Sequence, residues 1–146
     1  MMFAIVTQPI DVSALAEHVR TDACGAVVTF AGVVRQHSDD DRPVTGLSYE
    51  VHDAMAIAEF ETIASEARAR FGDCEIAVLH RKGDLRIGEV AVAVAVASVH
   101  RSLAFDACEY VIDELKARAP IWKKEHYVDG ASEWIENACG VTESPR

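Results

Sequence analysis

The sequence predicts an α+β fold with a mixed sheet and one central strand buried on both faces. Three observations carry this expectation. Apolar residues recur with period two in some segments and at helical spacing in others, in the order β-α-β-β-α-β-β-α-β. Within Glu89–Val99, valines at 90, 92, 94 and 96 alternate with alanines at 91, 93, 95 and 97, so both faces of that strand are apolar. A chain of 146 residues with 50% hydrophobic and 26% charged residues suits one packed domain, expected over residues 1–136, and excludes a disordered chain. Residues 137–146 carry no periodic pattern and are expected to form a flexible tail.

Taken in order, Phe3–Thr7 reads as a first strand and Asp11–Arg20 as a helix with Leu15 and Val19 on one face. Gly25–Val34 is a strand rich in β-branched residues, and Gly32 inside it signals a bulge or a close backbone approach. Arg35 to Pro43, with three consecutive aspartates at 39–41, is a polar loop whose carboxylates are expected to point into solvent. Val44–Val51 resumes as a strand, and Ala54–Arg70 is a helix stopped at Phe71-Gly-Asp73. Cys74–Arg81 is a strand and Lys82-Gly83-Asp84 a turn. After the valine–alanine strand, Ser102–Ala117 is a helix with Leu103, Ala107, Tyr110, Val111 and Leu115 on one stripe, ended by Pro120. Ile121–Val128 is extended, Asp129-Gly130 turns, and Ser132–Glu136 forms a short strand or a turn of helix.

Charge narrows the function. Fourteen basic against 24 acidic residues give a net charge of -10, which disfavours nucleic-acid and membrane-surface partners. Residues 1–79 hold a net of -8 and residues 80–146 a net of -2, so an anionic ligand is expected at the second half. The four cysteines have no metal-ligand spacing, no metal or cofactor is expected, and no signal-peptide or membrane-spanning pattern is present. Those features predict a cytoplasmic chain with reduced thiols.

Three places hold cations with a use beyond solubility. His100-Arg101-Ser102 lies where the apolar strand meets the long helix; Ser102 is a candidate N-cap, and a helix N-terminus beside a cation suits a phosphate or carboxylate. Lys116-Ala-Arg-Ala-Pro-Ile-Trp-Lys-Lys124 puts four cations around a helix stop; the macrodipole accounts for Lys116 and Arg118. In an extended segment Lys123 and Lys124 point to opposite faces, which leaves room for one to face inward with the other in solvent. Trp122 reads as core. Arg35, after the glycine-bearing strand, matters only if the other clusters converge on it. The histidines at 18, 37, 52, 80 and 126 lack metal-ligand spacing and read as structural or solvated.

Four segments together resemble the MoaE-type large subunit of molybdopterin synthase: Gly25-Ala-Val-Val-Thr-Phe-Ala-Gly-Val-Val-Arg35, Leu79-His-Arg-Lys-Gly-Asp-Leu85, Ser98-Val-His-Arg-Ser102 with Ala104-Phe105, and Leu115-Lys-Ala-Arg-Ala-Pro-Ile-Trp-Lys123. The resemblance runs from about Phe3 to Glu136. It implies an α/β hammerhead fold, a homodimer, and a small ubiquitin-like sulfur-carrier subunit docked on each protomer to make a heterotetramer. The carrier's C-terminal Gly-Gly thiocarboxylate would deliver sulfur to cyclic pyranopterin monophosphate, building the molybdopterin dithiolene. By motif match, Lys116 and Lys123 are the implied catalytic residues, and Arg35, His100 and Arg101 the implied substrate pocket. The chain departs from the family after Trp134-Ile-Glu136, where Asn137-Ala138 stand in place of a frequent basic residue. Lys124 or Arg146 is the candidate substitute. The alternatives are a catalytically degenerate paralogue and a non-enzymatic module that binds a carrier tail or phosphoanion.

One geometric expectation follows. Arg101 and Lys116 flank a single helix, and 15 residues at ~1.5 Å rise separate them by roughly 22 Å. The site is therefore expected to be shared across a two-fold dimer: Lys116, Lys123 and Arg35 from one chain, His100 and Arg101 from the other.

Overall fold

The computed structural model describes residues 1–135. From the N-terminus the chain forms β1 (Met2–Val6), α1 (Val12–Val19), β2 (Ala26–Val33), β3 (Val44–Val51), α2 (Asp53–Phe71) and β4 (Glu75–Arg81). It continues as β5 (Gly83–Arg86), β6 (Val90–Ser98), α3 (Arg101–Arg118), β7 (Ile121–Tyr127) and β8 (Ser132–Ile135). The expected tail lies outside the described residues.

The strands make two four-stranded sheets, ordered β1-β4-β6-β2 and β5-β3-β7-β8. Only the first is mixed: β1 runs parallel to β4, while β4–β6 and β6–β2 are antiparallel. The second sheet is antiparallel throughout. Its existence revises one expectation, because Lys82-Gly83-Asp84 is not merely a turn. Gly83, at φ 93°, makes the corner, and the next residues pair with β3 as β5. Four residues are too few for periodicity to reveal a strand, and only the distant partner β3 defines it.

β6 is the buried centre that its alternation predicts. Val92, Val94 and Val96 pack into the main core with Phe60 and Ile63 of α2 and Val111 and Leu115 of α3. Ala93, Ala95 and Ala97 face the other way, against Leu15 and Val19 of α1. Small side chains on that face let α1 lie close to the sheet. α1 begins where Asp11 accepts a hydrogen bond from the Ala14 amide at 3.0 Å, a side-chain N-cap. Phe60 has no exposed surface. Phe60→Ala is expected to cost about 3–5 kcal/mol, read as a lowered urea midpoint at unchanged slope.

Other local expectations are revised. His100, not Ser102, is the N-cap of α3, and no side chain caps this end; instead Ser98 Oγ donates to the His100 carbonyl at 2.5 Å. Helical geometry starts one residue earlier than expected, after a bend at Val99 and His100 that joins β6 to α3. Trp122 is half-buried and belongs to none of the three hydrophobic clusters, whereas its neighbour Ile121 packs against the main core. Gly32 does mark an irregularity: the β2–β6 register shifts between Gly32 and Val33. A Cβ at Gly32 would sit 2.7 Å from Val92 Cγ1. Ala91 is the residue left without a partner on β2.

Candidate anion-binding site

The register of the second sheet builds one wall of a pocket. Tyr49 on β3 stands opposite Lys123 on β7, and Leu47 opposite Glu125, so period-two geometry sends all four side chains to one face. The bulge residues Gly32, Val33, Ala91 and Val92 form the floor, and Arg35 enters from the loop after β2. Lys116 reaches the same pocket from the last turn of α3. Its volume is about 120 Å³. That is small against the roughly 300–1,000 Å³ typical of complete small-molecule sites.

Each cation of the Lys116–Lys124 cluster has a separate destination. Arg118 turns to α2, with its guanidinium 2.6 Å from Glu66 and 2.7 Å from Glu59. Lys124 takes the opposite face of β7 from Lys123, its ammonium 5.5 Å from the centre of the Trp134 ring, and does not line this pocket. Positions 137 and 146 lie outside the described residues. Lys116 and Lys123 remain, and neither side chain has a hydrogen bond or a salt bridge among the described residues.

Burial holds the Lys123 ammonium below the ordinary lysine range; Glu125 and Asp39 oppose that shift, while Lys116 and Arg35 add to it. Burial also raises the Tyr49 hydroxyl to about 12, helped by Glu125. Beneath Tyr49, the His80 ring meets it edge-on at 5.0 Å. Burial pushes His80 down to about 4, so this imidazole is neutral and structural at neutral pH. Its Nδ1 lies 2.7 Å from the Arg81 carbonyl and donates to it in that tautomer.

The structure therefore brings Arg35, Lys116 and Lys123 together, and leaves His100 and Arg101 out. Those two are exposed at the opposite end of α3, which runs unbroken for 18 residues. Arg35 comes from the acidic half of the chain, so the expectation that positive potential would arise only after residue 79 needs correcting: the β2 bulge delivers a cation from before it. Asp39, like Asp40 and Asp41, is exposed as expected, and its carboxylate accepts a hydrogen bond from Arg35 at 2.6 Å. Tyr49, His37 and Glu125 also line the pocket and were not among the sequence candidates. For Glu125 the signal was present: the alternation that turns Lys123 inward turns residue 125 inward too. Among the described residues no cluster of three or more His, Cys, Asp or Glu side chains is arranged to hold a metal, and no helix is long and apolar enough to cross a membrane.

A small pocket lined by Arg35, Lys116 and Lys123 can receive a phosphate or a carboxyl terminus. The family model described as MoaE protein matches residues 5–118, which hold Arg35, His100, Arg101 and Lys116. The chain belongs to the MoaE family. This MoaE chain is 41% identical over 139 residues to the "Molybdopterin synthase catalytic subunit" of Nostoc sp., covering 94% of the chain and 84% of that relative. Its fold is similar to the crystal structure of molybdopterin synthase from Staphylococcus aureus, with a TM-score of 0.86 and 36% identity over 91% of this chain and 96% of that one. It is also similar to a chain in the complex of subunits 1 and 2 of molybdopterin-converting factor from Helicobacter pylori, with a TM-score of 0.72 and 25% identity. That match covers 87% of this chain and 86% of the other.

Proposed function

We propose that this MoaE chain is the catalytic subunit of a molybdopterin synthase in molybdenum cofactor biosynthesis, acting as a sulfurtransferase in the cytoplasm. The observation that carries the reading is the meeting of Arg35, Lys116 and Lys123 in one pocket, in a chain whose relatives bear that name. A small ubiquitin-like carrier with a C-terminal Gly-Gly thiocarboxylate supplies the sulfur, and cyclic pyranopterin monophosphate receives it. The Helicobacter pylori complex of two converting-factor subunits supports a two-subunit assembly.

The residue types suit the chemistry. The incoming thiocarboxylate and the substrate phosphate are both anions, and charge develops on oxygen and sulfur as each acyl–sulfur bond is cleaved. Fixed cations stabilise such charge best where water is excluded, commonly the largest catalytic contribution. Lys116 sits at the pocket edge as a proton carrier or electrostatic partner, and the partly desolvated Lys123 holds the tail. Arg35 contacts the substrate anion. The volume of about 120 Å³ in one protomer supports a shared site, completed by His100 and Arg101 from the second copy of a homodimer.

The test is a single-turnover reaction of the purified protein with thiocarboxylated carrier and cyclic pyranopterin monophosphate, with dithiolene product quantified. Product supports the synthase reading. Carrier binding without product supports a degenerate paralogue or a non-enzymatic module.

The lowered Lys123 predicts a pH signature. Its protonated form is the one that attracts anions, so carrier-tail affinity is present at neutral pH and falls as pH rises through a value below the ordinary lysine range. Lys123→Arg keeps its charge and is expected to move that alkaline decline to higher pH. An unchanged alkaline limb in carrier titrations would remove Lys123 from tail binding.

A further inference from the structure

Arg35 has a partner of its own beside the pocket. One guanidinium nitrogen lies 2.6 Å from the Asp39 carboxylate, four residues along the same loop. The loop is held in that shape from several sides. The Ser38 amide donates to the Arg42 carbonyl at 2.9 Å, the Arg42 amide donates to Ser38 Oγ at 3.0 Å, and His37 forms a β-bridge with Pro43. Arg42 then fastens the loop's end to the second sheet, 2.9 Å from Asp129 and stacked 3.6 Å from the centre of the Tyr127 ring. Asp39 therefore stands outside the pocket lining, on the solvent side of Arg35, on a loop held by its own hydrogen bonds. All three pocket cations act on it: Arg35 first, then Lys123 and Lys116, hold its carboxyl below the usual range. Its neighbour Asp40 is turned elsewhere, accepting a hydrogen bond from Ser38 Oγ.

We propose that Asp39 is an affinity-setting residue of the anion site proposed above, an internal carboxylate that occupies Arg35 and must be displaced before a ligand anion takes its place. The chemistry of the exchange is like for like: a carboxylate oxygen leaves a guanidinium nitrogen, and a phosphate or carboxyl-terminal oxygen replaces it. The pair is exposed, at 65% for the Arg35 side chain and 88% for Asp39. It is therefore weak enough for a ligand to open, since exposed pairs contribute little. What it does is lower the affinity for any anion that needs Arg35, and keep the three cations from holding a stray ion when no ligand is bound.

The experiment is calorimetric titration of inorganic phosphate into the full chain at low ionic strength, for wild type, Asp39→Asn, Asp40→Asn, Arg35→Gln and the Arg35→Gln/Asp39→Asn double variant. Asp39→Asn is expected to tighten phosphate binding about 3- to 10-fold. Asp40→Asn, which removes the same charge one residue away, is expected to change it less than about two-fold. In the Arg35→Gln background the gain from Asp39→Asn should shrink below about two-fold, because the contact it relieves is gone. Equal gains from Asp39→Asn and Asp40→Asn would reduce the effect to net charge and overturn the proposal. Weaker binding by Asp39→Asn would overturn it too, making Asp39 a support for Arg35. So would the absence of phosphate binding by Asp39→Asn at millimolar concentration. The titration needs neither carrier nor pterin, so its failure is separable from failure of dithiolene formation.

Discussion

Lys116→Ala is expected to slow single-turnover dithiolene formation by about 10²- to 10⁴-fold, the range for losing a positioned acid–base or charge-stabilising group. At ~1.36 kcal/mol per decade this is about 3–5 kcal/mol of transition-state stabilisation. Carrier affinity is expected to stay within a few-fold, because Lys116 stands at the edge of a pocket whose walls come from β2, β3 and β7. The fold should not suffer either. Lys116 is exposed and its side chain makes no hydrogen bond or salt bridge among the described residues, and such surface changes usually stay within about 0.5 kcal/mol. The measurement is product formed per active site against time, beside a carrier-binding titration and a urea unfolding curve. A loss under ten-fold would favour the non-enzymatic module; a loss matched by equal loss of carrier binding would make Lys116 a docking residue.

The second large effect is a rescue. If each site draws Lys116 from one protomer and Arg101 from the other, Lys116→Ala and Arg101→Ala homodimers are each inactive. A heterodimer of the two pairs both damaged residues in one site and both intact residues in the other. Random subunit exchange then restores about a quarter of wild-type activity, since half the dimers are mixed and each has one good site. Mixing and refolding the two variants, then assaying dithiolene formation, reads this out. A mixture that stays as inactive as its components would place all the required cations in a single protomer. The 18-residue helix gives this experiment its force, because it holds the two positions at opposite ends with no break between them.

Much of this architecture is legible in the sequence. Where a segment's neighbours were encoded in its own periodicity, the reading held: the valine and alanine faces of β6, the stripe of α3, the stop at Pro120, the bulge at Gly32, and the opposite facing of Lys123 and Lys124. The residues that resisted are those defined by a distant partner. β5 is a strand only because β3 lies beside it. Tyr49 enters the pocket only because the β3–β7 register sets it opposite Lys123. All three aspartates at 39–41 are exposed as their run suggests, but nothing in it says which carboxylate reaches Arg35. Ser102 looked like a cap by residue type, but where a helix begins is decided by how the preceding strand delivers the chain.

The shift between Gly32 and Val33 has a consequence for how this site tolerates change over time. Val33 skips Ala91 to pair with Val90, so β2 and β6 are indexed to each other at one fixed notch. The same two strands carry the core alternation, in which a slip of one residue would exchange the valine and alanine faces. The pocket opens at that notch, with main chain and small side chains as its floor. Its position along the chain is therefore tied to the interior rather than to the loop above it. Changes among residues 36–43 alter the rim and its affinity without moving the floor, whereas a single insertion inside β2 would move the floor and misalign the core in one step. Variation should accumulate at the rim and halt abruptly at Gly32.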